Sequence, residues 1–266
     1  MRITSIGAGN MATAIIKSVV SSGRVNSRDI TVFDINNDKY SVFKNIGVNC
    51  AENLKSACEA SEIILLAVKP QDYEKVLLDI KPYCACERKI IISIAAAISI
   101  DFICKTLGAD FPVIRVMPNT PLLIGCGATA ISRNSYVDDK LYTKVCGLFA
   151  ASGSVVSLDE SLMNRVISVN SSSPAYVYLL AKAMVDNAVE QGLDKSLATD
   201  LVYKTILGSA QMLIQSDLDA DGLIKMVASP NGTTEAALKS FKISGFTDIV
   251  SKAMNACTER AEEMAR

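Results

Sequence analysis

Residues 2–16 read RITSIGAGNMATAII, so an Ile-rich strand pattern, the turn Gly7-x-Gly9-x-x-Ala12 and a helical pattern follow one another directly. Gly7 permits a tight turn, Gly9 lets a phosphate approach the backbone, and Ala12 allows the helix to pack closely on the strand. The helix then presents free N–H groups and its positive dipole end to an anion. This combination predicts a parallel α/β domain that binds a dinucleotide.

Strand-like and helix-like segments alternate over about the first 150 residues, the pattern of βαβ units and a mostly parallel sheet. The run EIILLAV, residues 62–68, is apolar at consecutive positions, as expected for a strand that is covered on both faces. The predicted strands are Arg2–Ile6, Ile30–Phe33, Ile63–Val68, Lys89–Ala95 and Val113–Met117, and the predicted helices are Asn10–Ser22, Asp38–Ile46, Gln71–Ile80 and Ile100–Leu107.

The strand pattern stops after GSVVSLDE, and the remaining chain has a helical pattern. We therefore predict an α/β fold with a Rossmann-like dinucleotide-binding domain at residues 1–159 and an all-α dimerisation domain at residues 160–266. The helix over Pro174–Gln191 is apolar almost all round and must be buried on several sides. We expect a second subunit to cover it, the alternative being the first domain alone. Helix breaks are predicted at Gly192, Ala220–Gly222 and Ser229–Gly232.

Half of the 266 residues are apolar, enough for a substantial core, and 27 Lys and Arg nearly balance 28 Asp and Glu. Without a basic cluster we expect no nucleic-acid partner. The longest apolar stretch, Ile90–Ile100, is about half a membrane span, and no signal-peptide pattern is present, so we expect a cytoplasmic protein that does not enter the membrane. Histidine is absent, and eight cysteines are scattered except for Cys84 and Cys86, which argues against a metal site.

Asp34 ends the second predicted strand, 25 residues after Gly9, where dinucleotide folds place the carboxylate that accepts from the ribose hydroxyls. A carboxylate about 4 Å from a 2′-phosphate would repel it by roughly 4 kcal/mol per charge pair at an effective dielectric constant near 20. Asp34 thus favours NADH over NADPH. Asn36, Asn37 and Lys39 follow at once and are able to turn toward a phosphate, and Asp34 would also suit a strand-end turn.

Two further strand ends, in the segments AVKPQ and RVMPNTP, carry candidate ligand contacts because parallel sheets bind ligands at the carboxyl ends of their strands. Lys69 is placed to contact a phosphate or a ribose. Pro70 would equally serve to end the strand and open the next helix. The prolines of RVMPNTP stiffen a loop that carries Asn119 toward the same edge. The candidates at these two ends are Ala67, Val68, Lys69, Pro70 and Asn119.

Taken in this order, the segments resemble the pyrroline-5-carboxylate reductase family, whose members reduce a cyclic imine to proline. The resemblance covers essentially the whole chain, through GAGNMATAI, AVKPQ, ISIAAAIS, RVMPNTP, SSSPAYVYLLAKAMVDNAVEQGL and SPNGTTEAALKSF. The last segment is the most specific, because the family's typical form there is Ser-Pro-Gly-Gly-Thr-Thr at the start of a helix. The resemblance implies a cyclic imino acid substrate and a dimer through the helical domain, or a ring of dimers.

The resemblance also implies roles for individual residues. The N–H groups at the start of the last segment's helix would bind the substrate carboxylate, and the hydroxyl of Thr234, the predicted catalytic residue, would reach the ring nitrogen. A cyclic imine can arrive protonated, so the site needs a positioned hydrogen-bond partner more than a strong acid. The substrate-contacting residues are then Ser229, Gly232, Thr233, Thr234 and Asn119. The residues expected to contact NADH or NADPH are Ile6, Gly7, Gly9, Asn10, Met11, Asp34, Asn53, Ala67, Val68, Lys69 and Pro70.

Three residues depart from the family pattern, since Asn231, Ser171 and Ala97 each stand where the family usually has glycine. Two other functions stay open at this point. A β-hydroxyacid dehydrogenase has a similar architecture but requires a lysine with an asparagine one turn later, whereas Lys182 is followed by Asp186. A non-catalytic dinucleotide sensor would keep the first glycine-rich turn and be free to lose the second.

Overall fold

The computed structural model describes residues 1–84 and 89–265, and its contacts divide the chain into two compact units. The sheet unit comprises Met1–Ser172 and Cys257–Arg266, and the helical unit comprises Ser173–Ala256. This arrangement, a Rossmann-like sheet followed by a helical region, confirms the predicted fold class. The boundary predicted after residue 159 stays a prediction. It marks the end of the strand pattern, whereas the first segment of the sheet unit continues to Ser172.

Within the described residues, eight strands form one sheet in the order β3-β2-β1-β4-β5-β6-β7-β8. The strands are β1 (Ile3–Ile6), β2 (Ile30–Phe33), β3 (Asn49–Cys50), β4 (Ile63–Leu66), β5 (Ile90–Ser93), β6 (Val113–Met117), β7 (Gly127–Arg133) and β8 (Gly153–Ser157). The order of the first six is that of dinucleotide-binding folds. Neighbouring strands are parallel except for β6 and β7, so the sheet is mostly parallel.

The helices of the sheet unit cover the sheet between successive strands. They are α1 (Asn10–Ser21), α2 (Tyr40–Lys44), α3 (Leu54–Glu59), α4 (Tyr73–Cys84), α5 (Ile100–Leu107) and α6 (Asp139–Ala150). Along β4, Ile63 and Leu65 belong to one hydrophobic cluster, and Ile64 and Leu66 belong to another. Because successive side chains of a strand point to opposite faces, β4 is buried on both faces, as EIILLAV predicts.

In the described part of the chain, five α-helices follow the sheet, and they are α7 (Ser173–Glu190), α8 (Lys195–Gln215), α9 (Ala220–Val227), α10 (Thr233–Ile243) and α11 (Phe246–Glu263). The last of them, α11, ends in the sheet unit, where Thr258 Oγ1 lies 3.1 Å from Ser168 Oγ. The break predicted at Ala220–Gly222 is wrong, since α9 runs through it. Asp219 caps α9 by accepting from the Gly222 N–H at 2.8 Å, so the helix begins at Ala220.

The helical unit leaves much apolar surface exposed. Helices α7 and α8 pack together through the buried side chains of Ala181, Val185, Ala198 and Val202. The other faces of α7 carry large apolar side chains that are 40–69 % exposed in the single chain, and these are Val177, Tyr178, Leu179, Leu180, Met184 and Val189. The burial on several sides that the sequence of α7 requires is therefore not supplied by α8.

Metal clusters, membrane-spanning helices and disulfide bonds are not found among the described residues. Among the described residues no three His, Cys, Asp or Glu side chains cluster around a metal position, and no helix is long and apolar enough to cross a membrane. The described cysteines are free thiols, and Cys58 and Cys84 lie buried in one core cluster as small apolar side chains. Cys86, the other member of the predicted pair, lies outside the described residues.

Candidate active site

The carboxyl ends of β1 and β4 lie side by side, because the two strands are parallel neighbours in the sheet. The strand order reverses between them, which is the usual ligand-binding point of such sheets. Gly7 follows β1 with a φ of 106°, and a Cβ placed on it would lie 2.5 Å from the carbonyl oxygen of Ala67. The Ala67 N–H donates to the carbonyl oxygen of Ile6 at 2.8 Å. Only glycine fits this close approach between the ends of β1 and β4.

The turn after β1 presents free N–H groups at the N-terminus of α1. Gly9 is the N-cap, and no hydrogen bond among the described residues engages the N–H groups of Gly9, Asn10 or Met11. A Cβ on Gly9 would meet nothing within 4 Å, so the space in front of these groups is open. Free N–H groups and the positive end of a helix dipole bind phosphate groups. The arrangement fits the pyrophosphate of a dinucleotide.

The carboxylate of Asp34 is hydrogen-bonded to this turn. Its Oδ2 accepts from the Ala8 N–H at 2.6 Å, and its Oδ1 accepts from the Asn36 N–H at 2.9 Å. Lys39 Nζ donates to Asn10 Oδ1 at 2.9 Å. The negative charge of Asp34 and the positive charge of Lys39 thus both lie beside the start of α1. Both would act on a charged ligand bound there.

The end of β4 is held by Tyr73, which is fully buried. Its hydroxyl donates to the carbonyl oxygen of Leu66 at 2.8 Å and lies 3.0 Å from Ser93 Oγ. Burial raises the pKa of Tyr73, so the hydroxyl remains a protonated donor that joins the ends of β4 and β5. Beyond this point Lys69 precedes the short helical turn Pro70–Asp72, and its side chain is exposed. The phosphate or ribose contact of Lys69 stays a prediction.

Two residues predicted to contact ligands use their side chains within the fold. Asn53 Oδ1 accepts from the Ser56 N–H at 2.9 Å and caps α3. Asn119 is 8 % exposed; its Nδ2 donates to the carbonyl oxygen of Asn170 at 3.2 Å, and its Oδ1 accepts from the Ala128 N–H at 2.9 Å. These contacts engage both side-chain oxygens, and the ligand contacts of Asn53 and Asn119 stay predictions.

Asn170 completes the arrangement around Asn119, and the sequence alone does not predict its role. Asn170 Nδ2 donates to the carbonyl oxygens of Met117 at 2.7 Å and Ala128 at 3.0 Å. Ser171 Oγ donates to the carbonyl oxygen of Pro118 at 3.2 Å. The Ser171 side chain, at a position where the family usually has glycine, thus finds a partner. Together these bonds fix the end of β6 against the irregular helical turn that precedes α7.

An ion pair between the buried Arg115 and the half-buried Glu160 supports the same strand from its middle. Arg115 in β6 is 2 % exposed, and its guanidinium donates to Asn164 Oδ1 at 2.6 Å and to Glu160 Oε1 at 3.5 Å. Burial lowers the pKa of Arg115, and the Glu160 carboxylate opposes this effect. Glu160 Oε1 also accepts from the Ile100 N–H at 2.6 Å, at the start of α5. The pair therefore links β6 to two other elements of the sheet unit.

The segment SPNG forms a tight turn immediately before α10. The Gly232 N–H donates to the carbonyl oxygen of Ser229 at 3.0 Å, and Asn231 has a φ of 58°. Proline at the second position and a positive φ at the third are the features of a type II turn. Asparagine tolerates this left-handed backbone better than other side-chain-bearing residues, so Asn231 holds the turn in place of the family's usual glycine. Ala97, the third departure, also has a positive φ, 63°.

This turn places a second helix N-terminus in the open. No hydrogen bond among the described residues engages the N–H groups of Thr233 and Thr234, the first two residues of α10. The Gly232 N–H is engaged within the turn, so its predicted contact with a carboxylate stays a prediction. A Cβ on Gly232 would lie 2.9 Å from the carbonyl oxygen of Ser229, so only glycine fits. Within the described residues, each unit therefore contains a helix N-terminus with a glycine N-cap and free N–H groups, which we call the cradle at α1 (Gly9, Asn10 and Met11) and the cradle at α10 (Thr233 and Thr234).

Lys182, the residue on which the dehydrogenase alternative depends, forms an ion pair on the surface of α7. Its ammonium group donates to the carboxylate of Asp186 one turn later, and this hydrogen bond raises the pKa of Lys182. The dehydrogenase pattern requires an asparagine at that position. The Lys182–Asp186 pair is instead an ordinary i, i+4 pair on an exposed helix face.

Comparison with known proteins gives matches over both halves of the chain. The family described as pyrroline-5-carboxylate reductase dimerisation matches residues 160–264, and the family described as NADP oxidoreductase, coenzyme F420-dependent, matches residues 2–97. The pyrroline-5-carboxylate reductase of Escherichia coli is 34 % identical over 266 residues, which is 100 % of this chain and 98 % of that protein. That of Pseudomonas aeruginosa is 36 % identical, over 99 % of this chain and 97 % of its own.

Solved structures agree with these matches. A pyrroline-5-carboxylate reductase from Coxiella burnetii has a TM-score of 0.92 at 30 % identity, covering 100 % of this chain and 98 % of its own. The Plasmodium falciparum pyrroline carboxylate reductase, solved with NADP bound, has a TM-score of 0.92 at 27 % identity over the same shares of the two chains. The identity over the full length of both chains, the dinucleotide-type sheet and the SPNGTT turn lead to one assignment: the chain belongs to the pyrroline-5-carboxylate reductase family.

Proposed function

We propose that this chain is an NAD(P)H-dependent oxidoreductase that reduces the C=N bond of 1-pyrroline-5-carboxylate to give L-proline. The observation that carries the proposal is the pair of helix N-termini with glycine N-caps, Gly9 and Gly232, each with free N–H groups in its first turn. Each cradle would bind one of the two anionic ligands of this reaction, the dinucleotide or the amino-acid carboxylate. The names of the full-length relatives support the choice of substrate.

The cradle at α1 would hold the dinucleotide. The N–H groups of Gly9, Asn10 and Met11 have no hydrogen-bond partner among the described residues, and free N–H groups at a helix N-terminus suit a pyrophosphate. Ile6 and Gly7 would line the same turn, and the exposed Lys69, with Ala67, Val68 and Pro70, would lie along the neighbouring strand end. The dinucleotide supplies the hydride when it is bound. The contribution of these residues is to fix its position.

We propose that both coenzymes are accepted and that NADH is preferred. The Asp34 carboxylate is fixed beside the cradle by the Ala8 and Asn36 N–H groups. A 2′-phosphate about 4 Å from it would be repelled by roughly 4 kcal/mol per charge pair at an effective dielectric constant near 20. Lys39, whose ammonium group donates to Asn10 Oδ1, provides a positive charge beside the start of α1, which would reduce this penalty.

The cradle at α10 would hold the substrate. The N–H groups of Thr233 and Thr234 would bind the carboxylate, with Ser229 beside them, and a contact from Asn119 stays a prediction. The Thr234 hydroxyl would hydrogen-bond to the ring nitrogen as the imine carbon receives the hydride. Because the imine can arrive protonated, orientation and not acid strength is the main requirement. This accords with a chain that contains no histidine.

We further propose a homodimer that forms through the helical unit, alone or within a ring of dimers. Support comes from the exposed apolar side chains of α7, of which Tyr178 and Leu179 are the most exposed. A second copy of α7 and α8 would supply the burial that one chain does not. The cytoplasm is the expected location, and the free thiols of the described cysteines accord with it.

The reaction is tested by following NADH and NADPH oxidation side by side, with pyrroline-5-carboxylate and with its six-membered homologue. We expect turnover with the five-membered imine and a higher kcat/KM with NADH. Dinucleotide binding without consumption would refute the proposed reaction and favour a non-catalytic dinucleotide sensor.

The role of Thr234 is tested by Thr234→Ala, with Thr234→Ser as the variant that keeps a hydroxyl. We expect Thr234→Ala to lower kcat by about 100-fold, because a positioned hydrogen-bond partner is lost, while the KM for NADH changes by about twofold or less. Thr234→Ser should recover most of the rate. Equal losses in rate and in NADH affinity would contradict the assigned role.

A further inference from the structure

The cradle at α10 depends on a backbone conformation that its residue does not favour. Asn231 and Ala97 are the two non-glycine residues with positive φ in the described part of the chain. Asparagine tolerates the left-handed region but does not prefer it, unlike glycine. Because the direction of the Thr233 and Thr234 N–H groups follows from this turn, a contact that holds Asn231 also holds the cradle.

Glu235 makes that contact. Its Oε2 accepts from the Asn231 N–H at 2.6 Å, and no other acceptor engages this group among the described residues. In the usual capping box a glutamate at the third position of a helix bonds to the N–H of the N-cap residue. Here the N-cap is Gly232, whose N–H is already engaged by Ser229, and Glu235 reaches one residue further back. The bond is charge-assisted and therefore among the stronger kinds.

Resting on the reaction proposed above, we propose that Glu235 is a positioning residue for the substrate cradle, holding Asn231 in the left-handed conformation so that the Thr233 and Thr234 N–H groups converge on the imino acid carboxylate. A sequence with glycine at position 231 would need this support less, because glycine adopts the conformation unaided.

The test is a double-mutant cycle on the full-length protein, with Glu235→Ala and Asn231→Gly, singly and combined. Glu235 is exposed, so its truncation leaves no cavity. We expect Glu235→Ala to raise the KM for pyrroline-5-carboxylate about tenfold, with kcat and the KM for NADH changed by about twofold or less. In the Asn231→Gly background the same truncation should raise that KM by about twofold or less. Asp248→Ala, which removes a first-turn acid from α11, is the matched control and should leave that KM unchanged.

Two results would overturn the inference while the wild type still turns over pyrroline-5-carboxylate. One is an unchanged imine KM in Glu235→Ala. The other is an equal loss whether asparagine or glycine occupies position 231, which would indicate that the charge and not the turn is responsible. Failure of the wild type to reduce the imine would instead refute the proposed function itself. Circular dichroism and the Tm of each variant separate a positioning effect from unfolding, and we expect them to match the wild type.

Discussion

Alanine at Gly7 should destabilise the fold, whereas alanine at Gly9 should weaken dinucleotide binding and leave the fold unchanged. In Gly7→Ala the new methyl group meets the carbonyl oxygen of Ala67 at 2.5 Å and its carbon at 2.7 Å, at a φ of 106°. Backbone strain of this kind costs about 1–3 kcal/mol, and overpacking against a backbone carbonyl adds about 1–3 kcal/mol. We expect a total near 4 kcal/mol. For a domain of this size that lowers the Tm by roughly 8–16 °C.

The substitution Gly9→Ala should leave the stability of the fold unchanged. Gly9 has φ −67° and ψ −179°, which any residue adopts, and nothing lies within 4 Å of the added Cβ. The methyl group would occupy the space in front of the free Asn10 and Met11 N–H groups. Excluding a pyrophosphate from them removes about 3 kcal/mol of charge-assisted hydrogen bonding and raises the dinucleotide Kd about 100-fold.

Thermal denaturation of both variants, followed by circular dichroism, and fluorescence titration with NADH measure the two effects. If Gly9→Ala binds NADH as tightly as the wild type, the N-terminus of α1 does not hold the pyrophosphate. If Gly9→Ala lowers the Tm as much as Gly7→Ala, the two glycines serve the same purpose, and Gly9 is not specific to the ligand.

Other changes test single contacts of the sheet unit. Asp34→Ser removes the carboxylate beside the cradle, so kcat/KM with NADPH should rise about tenfold or more relative to kcat/KM with NADH. An unchanged ratio would show that Asp34 serves only to hold the turn. Asn170→Ala removes a side-chain donor from one buried and one half-buried carbonyl oxygen and should lower the free energy of unfolding by about 2–4 kcal/mol in urea denaturation. A loss below about 1 kcal/mol would contradict the importance of that contact.

The elements that carry strong periodic patterns could be predicted from the sequence, and those that depend on distant partners could not. The run over Ile63–Val68 predicts β4 because consecutive apolar residues are typical of a strand buried on both faces. The strand β7, GATAISR, consists mostly of small residues, and its pattern is too weak to predict a strand. It forms because β6 and β8 pair with it on both sides, and such pairing overrides weak local preference. The helix α3 has six residues, too few for a periodic pattern.

The same distinction holds for the site. Both glycine-rich turns are visible in the sequence, because turns and helix starts have local signatures. The bond from Asn170 to the carbonyl oxygen of Met117 joins residues 53 positions apart, and no local pattern indicates it. Glu235 does have a local signal, an acid at the third position of a helix, but the capping-box pattern predicts a bond to Gly232. The bond to Asn231 follows only from the closed SPNG turn.

Hydride transfer to the imine carbon is tested most directly with NADH that carries deuterium at both positions of nicotinamide C4. The wild-type protein is incubated with this NADH and pyrroline-5-carboxylate, and the proline formed is examined by mass spectrometry and NMR. We predict L-proline with one deuterium, located at the δ carbon, in an amount equal to the NADH oxidised. Proline without deuterium, or NADH that binds and is not oxidised, would contradict the account.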